Sequence, residues 1–247
     1  MKVMSTALLV LGLTSPAVAH AATEVVVAHE TSSATSSGKT VEVACPDGTK
    51  VVGTGGSVTG ERTTITRVRP SDDLTSVEVT AVEHGAGTVQ SWTVTARATC
   101  APGEFTLVSK SSTKNAEVAC PGNQKALGVG GETGGGHFTK MAPKNNLKGG
   151  VIETSGNTDV TAHVICGTRP GLVLRGGTPT VVMTRTASKS VACQDDEQVV
   201  SAGGAVAGAI IDDVVPAGPG AVVSGEGTDA QGQAIRWSIT PYVVCSR

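Results

Sequence analysis

The chain has 247 residues, of which 39% are hydrophobic and only 2% aromatic, and its formal net charge is −2. A charge this close to neutral, without a basic run, argues against nucleic-acid binding, because a polyphosphate backbone needs clustered Lys and Arg to displace its counterions. The composition is rich in Gly, Thr, Val, Ala and Ser, which suit strands and tight turns. No segment shows sustained apolar spacing at the helical period, so the sequence predicts an all-β protein.

The first 22 residues are predicted to be a signal peptide. Lys2 supplies the positive start, residues 7–13 are apolar, and Ala19 and Ala21 give the small-x-small pattern before the cleavage point. The apolar stretch is shorter than the roughly 20 residues that span a bilayer. We therefore expect a secreted, extracellular protein with no membrane insertion after cleavage, whose six cysteines meet an oxidising compartment.

Three related segments follow along the chain. Each opens with Val-Ala-Cys, passes through a glycine pair and a later proline, and closes on a second cysteine. The glycine pairs are Gly55-Gly56, Gly130-Gly131 and Gly203-Gly204, and the prolines are Pro70, Pro143 and Pro216. Pro-Gly dipeptides after the first two closing cysteines are natural joints, so residues 23–247 are predicted to form one domain of three repeats, at about 24–102, 103–170 and 171–247.

The segment before each closing cysteine reads as a strand with one apolar face, because side chains alternate with a period of two. That face carries the cysteine and, in two repeats, Trp92 or Trp237, so it is predicted to point inward and to bury both tryptophans. The opposite face is mostly polar and is expected to meet water. At one equivalent position on it, three residues before the closing cysteine, the repeats place Arg97, His163 and Tyr242.

The opening cysteines also lie on inward-facing positions of their strands, so the simplest connectivity is one disulfide per repeat. These bridges would be Cys45–Cys100, Cys120–Cys166 and Cys193–Cys245. Bridges between repeats, such as Cys100–Cys120, remain open as an alternative. Each intra-repeat bridge closes a loop of roughly 50 residues, which the chain-entropy relation values at about 4 kcal/mol.

Three such repeats favour a β-prism, in which sheets surround a pseudo-threefold axis. A β-trefoil-like fold and three small sandwiches in tandem are the alternatives. The glycine pairs then indicate where the repeats meet or where each sheet folds over, because Gly inside a strand accompanies bulges, bends and close backbone approach.

The Cys45-Pro46-Asp47-Gly48 segment, the glycine pair and the closing strand that ends in cysteine resemble the repeats of many bacterial secreted proteins of unassigned function. More weakly, they resemble the vitelline membrane outer layer protein family. That resemblance implies a β-prism fold and an association with polysaccharide. It carries over no functional residue, and the third repeat departs from it at Gln194 and Asp195.

No residue pattern indicates catalysis, a metal or a cofactor. The acidic groups at 72–73, 195–197 and 212–213 lie at non-equivalent repeat positions and read as solvated turn acids, and the histidines lack metal-ligand spacing. A Ser-His-Asp triad stays open, because its members meet only in three dimensions. Loop tips are expected at Gly134–His137, Lys144–Asn146 and Gly218–Gly220.

We therefore predict a non-catalytic secreted protein that recognises polysaccharide or a cell-surface protein through loops at one end of the fold. Arg97, His163, Tyr242 and His137 are its candidate contact residues. A structural envelope or extracellular matrix protein is the alternative, and a secreted hydrolase is the third. An exposed aromatic or a pocket with carboxylate and amide groups would favour carbohydrate binding.

Overall fold

The computed structural model describes residues 25–247, so the predicted signal peptide lies outside the described residues. Within that range the regular structure consists of strands, without a helix. The first repeat forms β1 (Val26–Thr31), β2 (Lys39–Ala44), β3 (Lys50–Val58), β4 (Thr63–Pro70), β5 (Ser76–Glu83) and β6 (Val94–Ala101). The second forms β7 (Thr106–Thr113), β8 (Asn115–Ala119), β9 (Lys125–Thr133), β10 (Phe138–Pro143), β11 (Gly149–Thr154) and β12 (Asp159–Gly167).

The third repeat forms β13 (Val173–Gly176), β14 (Thr180–Val182), β15 (Thr186–Ala192), β16 (Gln198–Ala207), β17 (Ile210–Ala217), β18 (Gly220–Glu226) and β19 (Trp237–Ser246). Its first strand position is thus split between β13 and β14, both of which pair with β19. No described segment forms a helix of the length and apolarity needed to cross a membrane.

The strands form three sheets, and each sheet joins half of one repeat to half of another. Sheet I has the order β1-β6-β3-β17-β18-β15, sheet II the order β2-β5-β4-β9-β12-β7, and sheet III the order β13-β19-β16-β10-β11-β8. The exchange is cyclic, since each repeat shares one sheet with each of the other two. The predicted all-β fold of three repeated units is confirmed.

The two halves of each repeat lie in different sheets and pack face to face. In the first repeat β5 packs on β6, and a Cβ added to Gly56 of β3 would meet Val79 of β5. Gly131 and Gly204 meet Ile152 and Val223 of their own repeats in the same way. Each repeat is therefore sandwich-like, but the three share continuous sheets and one large apolar core instead of standing in tandem as separate units.

The glycine pairs lie where each sheet passes from one repeat to the next. Their second members pair across this junction with Val214, Val68 and Met141. A Cβ on Gly130 would lie only 2.3 Å from the carbonyl oxygen of Val68 and 3.3 Å from Cδ of Pro70. Gly55 and Gly203 approach the equivalent Pro216 and Pro143. The two halves of a sheet thus cover different repeats, and on sheets II and III a groove lies at this junction.

The three intra-repeat disulfides predicted from the sequence are all present: Cys45–Cys100, Cys120–Cys166 and Cys193–Cys245. The predicted burial of both tryptophans is also confirmed, with Trp92 1% and Trp237 2% exposed. Each indole N–H has an acceptor, at 3.0 Å from Oε1 of Glu83 for Trp92 and 2.8 Å from the carbonyl oxygen of Thr184 for Trp237.

The long strands give the molecule two distinct ends. β3 begins beside the first disulfide, where Val51 pairs with Cys100, and it finishes where Val58 pairs with Val94. We call the first the disulfide end. A small apolar cluster lies there, which contains the equivalent residues Val52, Leu127 and Val200. We call the opposite end the histidine end, because the segments that follow β5 and precede β10 bring His84 and His137 together there.

Candidate functional site

The structure separates Arg97, His163 and Tyr242. They stand opposite the first glycine of each pair, at Gly55, Gly130 and Gly203, and so lie on the outer faces of three different sheets. Arg97 and Tyr242 are half-buried. These residues therefore form no common surface.

The expectation that His163 meets water is wrong. It lies on the outer face of sheet II, but it is only 4% exposed. Its Nδ1 is 2.7 Å from the hydroxyl of Ser109, and Nε2 is 3.5 Å from Oε1 of Glu132. Side chains of the neighbouring strands cover His163. The alternation of polar and apolar residues along its own strand does not predict this burial.

The predicted loop tips also divide between the two ends. Gly134–His137 precedes β10 and belongs to the histidine end, whereas Lys144–Asn146 and Gly218–Gly220 connect strands at the disulfide end. Of the predicted contact residues, only His137 lies beside further titratable groups at a loop-bearing end.

His137 and His84 come from different repeats and form an edge-on pair, with ring centroids 5.6 Å apart. Both are partly buried, and that burial lowers the pKa of each imidazole below its ordinary value. For His84, the nearby charge of Glu226 opposes this effect, and the positive charge of His137 adds to it. At neutral pH the pair is therefore uncharged and offers both a donor and an acceptor at each ring.

Glu226 is the central carboxylate of the histidine end, and it is only 4% exposed. Oε1 accepts a hydrogen bond from Nε of Arg185 at 3.1 Å, and Oε2 lies 3.7 Å from Nε2 of His84. Arg185 reaches outward to Glu61 at 3.3 Å. Arg185 thus balances the charge of a carboxylate that sits at the bottom of the site.

Asp212 corrects the interpretation of the third acidic group as solvated. It and Asp213 lie inside β17, at a bulge, and not in a turn. Burial raises the pKa of Asp212 well above its ordinary value, and the charges of Asp213 and Glu226 act in the same direction. Its Oδ1 is sealed from solvent and has no hydrogen-bond partner. Asp213, by contrast, accepts the Val58 N–H at 2.7 Å and the Ser224 hydroxyl.

Two cavities open onto Glu226 and His84. The first, of about 220 Å³, is lined with the polar side chains of Arg62, Asp229 and Gln231. The second, of about 370 Å³, adds His137, Ser155 and Ile210. A carboxylate, an amide, a guanidinium and two imidazoles therefore converge on one concave surface that three repeats build together. This combination can bind a neutral ligand rich in hydroxyl groups, because each hydroxyl both donates and accepts hydrogen bonds.

The described residues give no support for a bound metal. The one group that brings three ligand-type side chains close together there is Cys193, Glu197 and Cys245. Both of its cysteines are consumed by a disulfide, and Glu197 forms an ion pair with Arg175 at 2.6 Å.

Sequence reasoning missed Glu226 and Arg185, and the signal that could have found them is a departure from the repeat. The proline register aligns His137 with Thr64 and Ile210. Glu226 aligns with Val82 and Ser155 when the count starts from the residues that meet the second glycine of each pair, namely Val223, Val79 and Ile152. A charged residue at a position where the other repeats carry small or apolar ones indicates a role that the repeated fold does not require.

In comparisons with known proteins, no family model matches the chain, and no curated protein matches its sequence. The resemblance to bacterial secreted repeats and to the vitelline membrane outer layer family therefore stays a prediction.

Proposed function

We propose that the protein is a secreted binding protein whose histidine end takes a hydroxyl-rich ligand, namely a terminal sugar or short branch of a polysaccharide. The observation that carries this proposal is the position of Glu226, which lies at the base of two adjoining cavities between Arg185 and His84. With Gln231 beside it, this is the carboxylate and amide pocket expected of a carbohydrate site.

The tryptophans argue against the main alternative mode of sugar recognition. Stacking on a pyranose ring requires an exposed aromatic face, and both indoles are buried with satisfied N–H groups. Recognition at this site therefore depends on hydrogen bonds to hydroxyl groups.

Three disulfides support the secreted location, because such bonds persist in oxidising compartments. The start of the chain adds the signal-peptide pattern around Lys2. The β-prism class stays a prediction beside it, supported by three sheets that exchange halves cyclically.

A depletion assay tests the binding site. The oxidised mature protein is mixed with insoluble cell wall, chitin and cellulose, and the protein that remains in solution is measured. We expect specific loss onto one polymer, reversed by its soluble fragments. Glu226→Gln should weaken that binding about tenfold or more, since a hydrogen bond to a charged group contributes about 1.5–3 kcal/mol.

Two further variants keep this test clear. Gln231→Ala removes an exposed cavity side chain and leaves the core intact, so it should weaken binding without lowering stability. Glu153→Gln is the matched control, because Glu153 pairs with Lys140 on sheet III and lines neither cavity. Binding that both cavity variants leave unchanged would place the site elsewhere. If no polymer binds and the protein assembles with increasing concentration, the matrix-protein alternative replaces this proposal.

A further inference from the structure

Ser109, His163 and Glu132 lie in a row on the outer face of sheet II. The Ser109 hydroxyl is 2.7 Å from Nδ1 of His163, and Nε2 on the other side of the ring is 3.5 Å from Oε1 of Glu132. Ser109 is exposed, whereas His163 is buried. A hydroxyl that water and solutes can reach is therefore backed by an imidazole shielded from bulk solvent.

The strand order builds this row. β7, β12 and β9 are neighbours, and Ser109 lies directly opposite His163, which lies opposite Gly130. Glu132 reaches the imidazole from two residues along β9. The arrangement combines the second repeat's edge strand, its closing strand and its glycine strand.

The hydrogen-bond alternation of the ladder frees the backbone N–H of Ser109. The Lys114 N–H donates to the carbonyl oxygen of Thr158, just before β12, and residues in this ladder alternate between bonded and non-bonded pairs. Five positions away, Ser109 and His163 therefore form a non-bonded pair, in which side chains are closest. The N–H of Ser109 consequently points away from β12, towards the open edge of the sheet.

Charged neighbours hold Glu132 in place. Arg67 donates from Nε to Oε2 of Glu132 at 3.0 Å and from Nη1 to Glu78 at 2.7 Å, so Oε1 of Glu132 faces the imidazole. Burial lowers the pKa of His163, with Arg69 and Arg67 adding to the effect, while Glu132 opposes it. The ring is thus neutral at neutral pH. When Nδ1 accepts the Ser109 proton, Nε2–H faces Glu132, where the structure leaves Nε2 without a hydrogen bond.

We propose that Ser109 is an activated nucleophile for acyl transfer, with His163 as its general base and Glu132 as the residue that positions the imidazole. Ser109 Oγ would attack the carbonyl carbon of an ester, and its proton would pass to Nδ1 of His163. The Ser109 N–H, which points to the open edge, would donate a hydrogen bond to the developing oxyanion. His163 then returns the proton to the departing alcohol, which leaves an acyl group on Ser109, and water reverses these steps to release the acid.

The adjoining groove indicates the class of ester. It has a volume of about 530 Å³ and lies between the first and second repeats, and Glu132 is the member of the row that lines it. Threonine hydroxyls provide much of the remaining surface, at Thr40, Thr66, Thr80, Thr133 and Thr161. A polar lining of this kind fits a short acyl ester of a hydroxylated alcohol and not a long-chain lipid.

The test is covalent labelling of the intact mature protein with a fluorophosphonate, followed by peptide mapping. Ser111 is a built-in control, because it lies two residues along the same face and pairs with Thr161 Oγ1 at 2.9 Å instead of a histidine. We expect one label, on Ser109, that Ser111→Ala leaves unchanged. His163→Gln, which keeps a polar side chain of similar size, should lower the labelling rate by about 100-fold or more.

The variant Glu132→Gln tests whether Glu132 positions the imidazole of His163 or only supports the fold. Without the carboxylate the imidazole is harder to protonate, so the labelling rate should fall and its pH midpoint should move to lower pH. Hydrolysis of p-nitrophenyl acetate should disappear in Ser109→Ala. Equal labelling of Ser109 and Ser111, no labelling at all, or hydrolysis that survives Ser109→Ala would each overturn the proposal. None of these outcomes bears on the sugar site, which lies at the histidine end.

Discussion

The two ends of the molecule use the same repeat in opposite ways. At the disulfide end the three copies supply nearly equivalent parts, namely one bridge each and the apolar residues Val52, Leu127 and Val200. At the histidine end the equivalent positions differ, as with Thr64, His137 and Ile210. Where the copies agree, the structure is covalently closed and apolar. Where they disagree, titratable groups share a concave surface.

This contrast indicates how a triplicated chain can acquire a single site. A residue that packs against the equivalent residues of the other two repeats cannot change in one repeat without disturbing the packing of all three. A residue in a connecting segment is not constrained in this way, so one repeat can carry a histidine and another a carboxylate. The disulfide end then stabilises a fold whose opposite end tolerates buried charge.

The largest effect should come from opening the disulfide end. Cys120→Ala together with Cys166→Ala removes a bridge that spans 46 residues. The chain-entropy relation then predicts a loss of about 4 kcal/mol in the free energy of unfolding. Urea unfolding of the variant and the oxidised protein measures it. A loss below about 1 kcal/mol would mean that packing, and not the bridge, closes this end.

A smaller loss of stability is expected when a side chain is added where the backbones of two repeats approach closely. A Cβ on Gly53 would lie 2.0 Å from the carbonyl oxygen of Val200 in another repeat, where backbone cannot give way. Gly53→Ala should therefore cost about 3 kcal/mol in the free energy of unfolding. Gly38→Ala is the control, because its added Cβ finds only ordinary contacts of 3.6 Å. Equal melting temperatures for the two variants would contradict the close approach of repeats at the axis.

The repeated features of the fold were predictable from the sequence, because the same residue pattern recurs at the same spacing in all three repeats. The cysteine positions, the alternation around Trp92 and Trp237, and the glycine register together gave the disulfides, the buried faces and the junctions. The exchange of half-sheets between repeats was not predictable. Strand pairing over long sequence distances, such as Gly56 with Val214, leaves no local pattern in either strand.

The candidate site was predictable only in part. His137 stood in a glycine-rich segment that read as a loop, and the structure places it at the histidine end. Glu226 ends a strand, so neither its burial nor its partner Arg185 follows from the residues around it. For His163 the sequence predicts exposure and the structure shows burial, because the side chains that cover it come from other strands. Burial of a polar residue is decided by tertiary neighbours, which one sequence does not specify.

Removing a buried charge should sharpen the contrast between the ends. Asp212 carries a raised pKa and an unbonded Oδ1, so its ionised form opposes folding at neutral pH. Asp212→Asn should therefore raise the free energy of unfolding at pH 7 by about 2 kcal/mol, because the neutral amide removes the desolvation cost of the carboxylate charge and its repulsion from Asp213 and Glu226. The sign follows from linkage: a raised pKa in the folded protein favours stability below the ordinary value of 3.8 and costs stability as pH rises.

The measurement is the melting temperature of Asp212→Asn and the parent protein between pH 3 and pH 8. The two curves should converge at the acidic limit and separate as pH rises. Asp72→Asn serves as the control, because that side chain is 87% exposed and should change little at any pH. A destabilised Asp212→Asn at pH 7 would show that the carboxylate is needed for folding.

The smallest effect concerns the histidine pair. Burial lowers the pKa of His137 from its ordinary 6.5, so the unfolded chain takes up a proton at a higher pH than the folded one. The resulting stability is complete above about pH 6.5 and is lost as pH falls towards the lower folded value, by about 1.4 kcal/mol for each pKa unit of depression. His137→Gln cannot titrate, so its stability should fall less steeply between pH 6.5 and pH 5. The exposed His29 of β1 provides the control, and His29→Gln should keep the parent slope. If the three proteins lose stability equally over this range, protonation of His137 does not oppose folding, and the histidine end is more open to water than its geometry indicates.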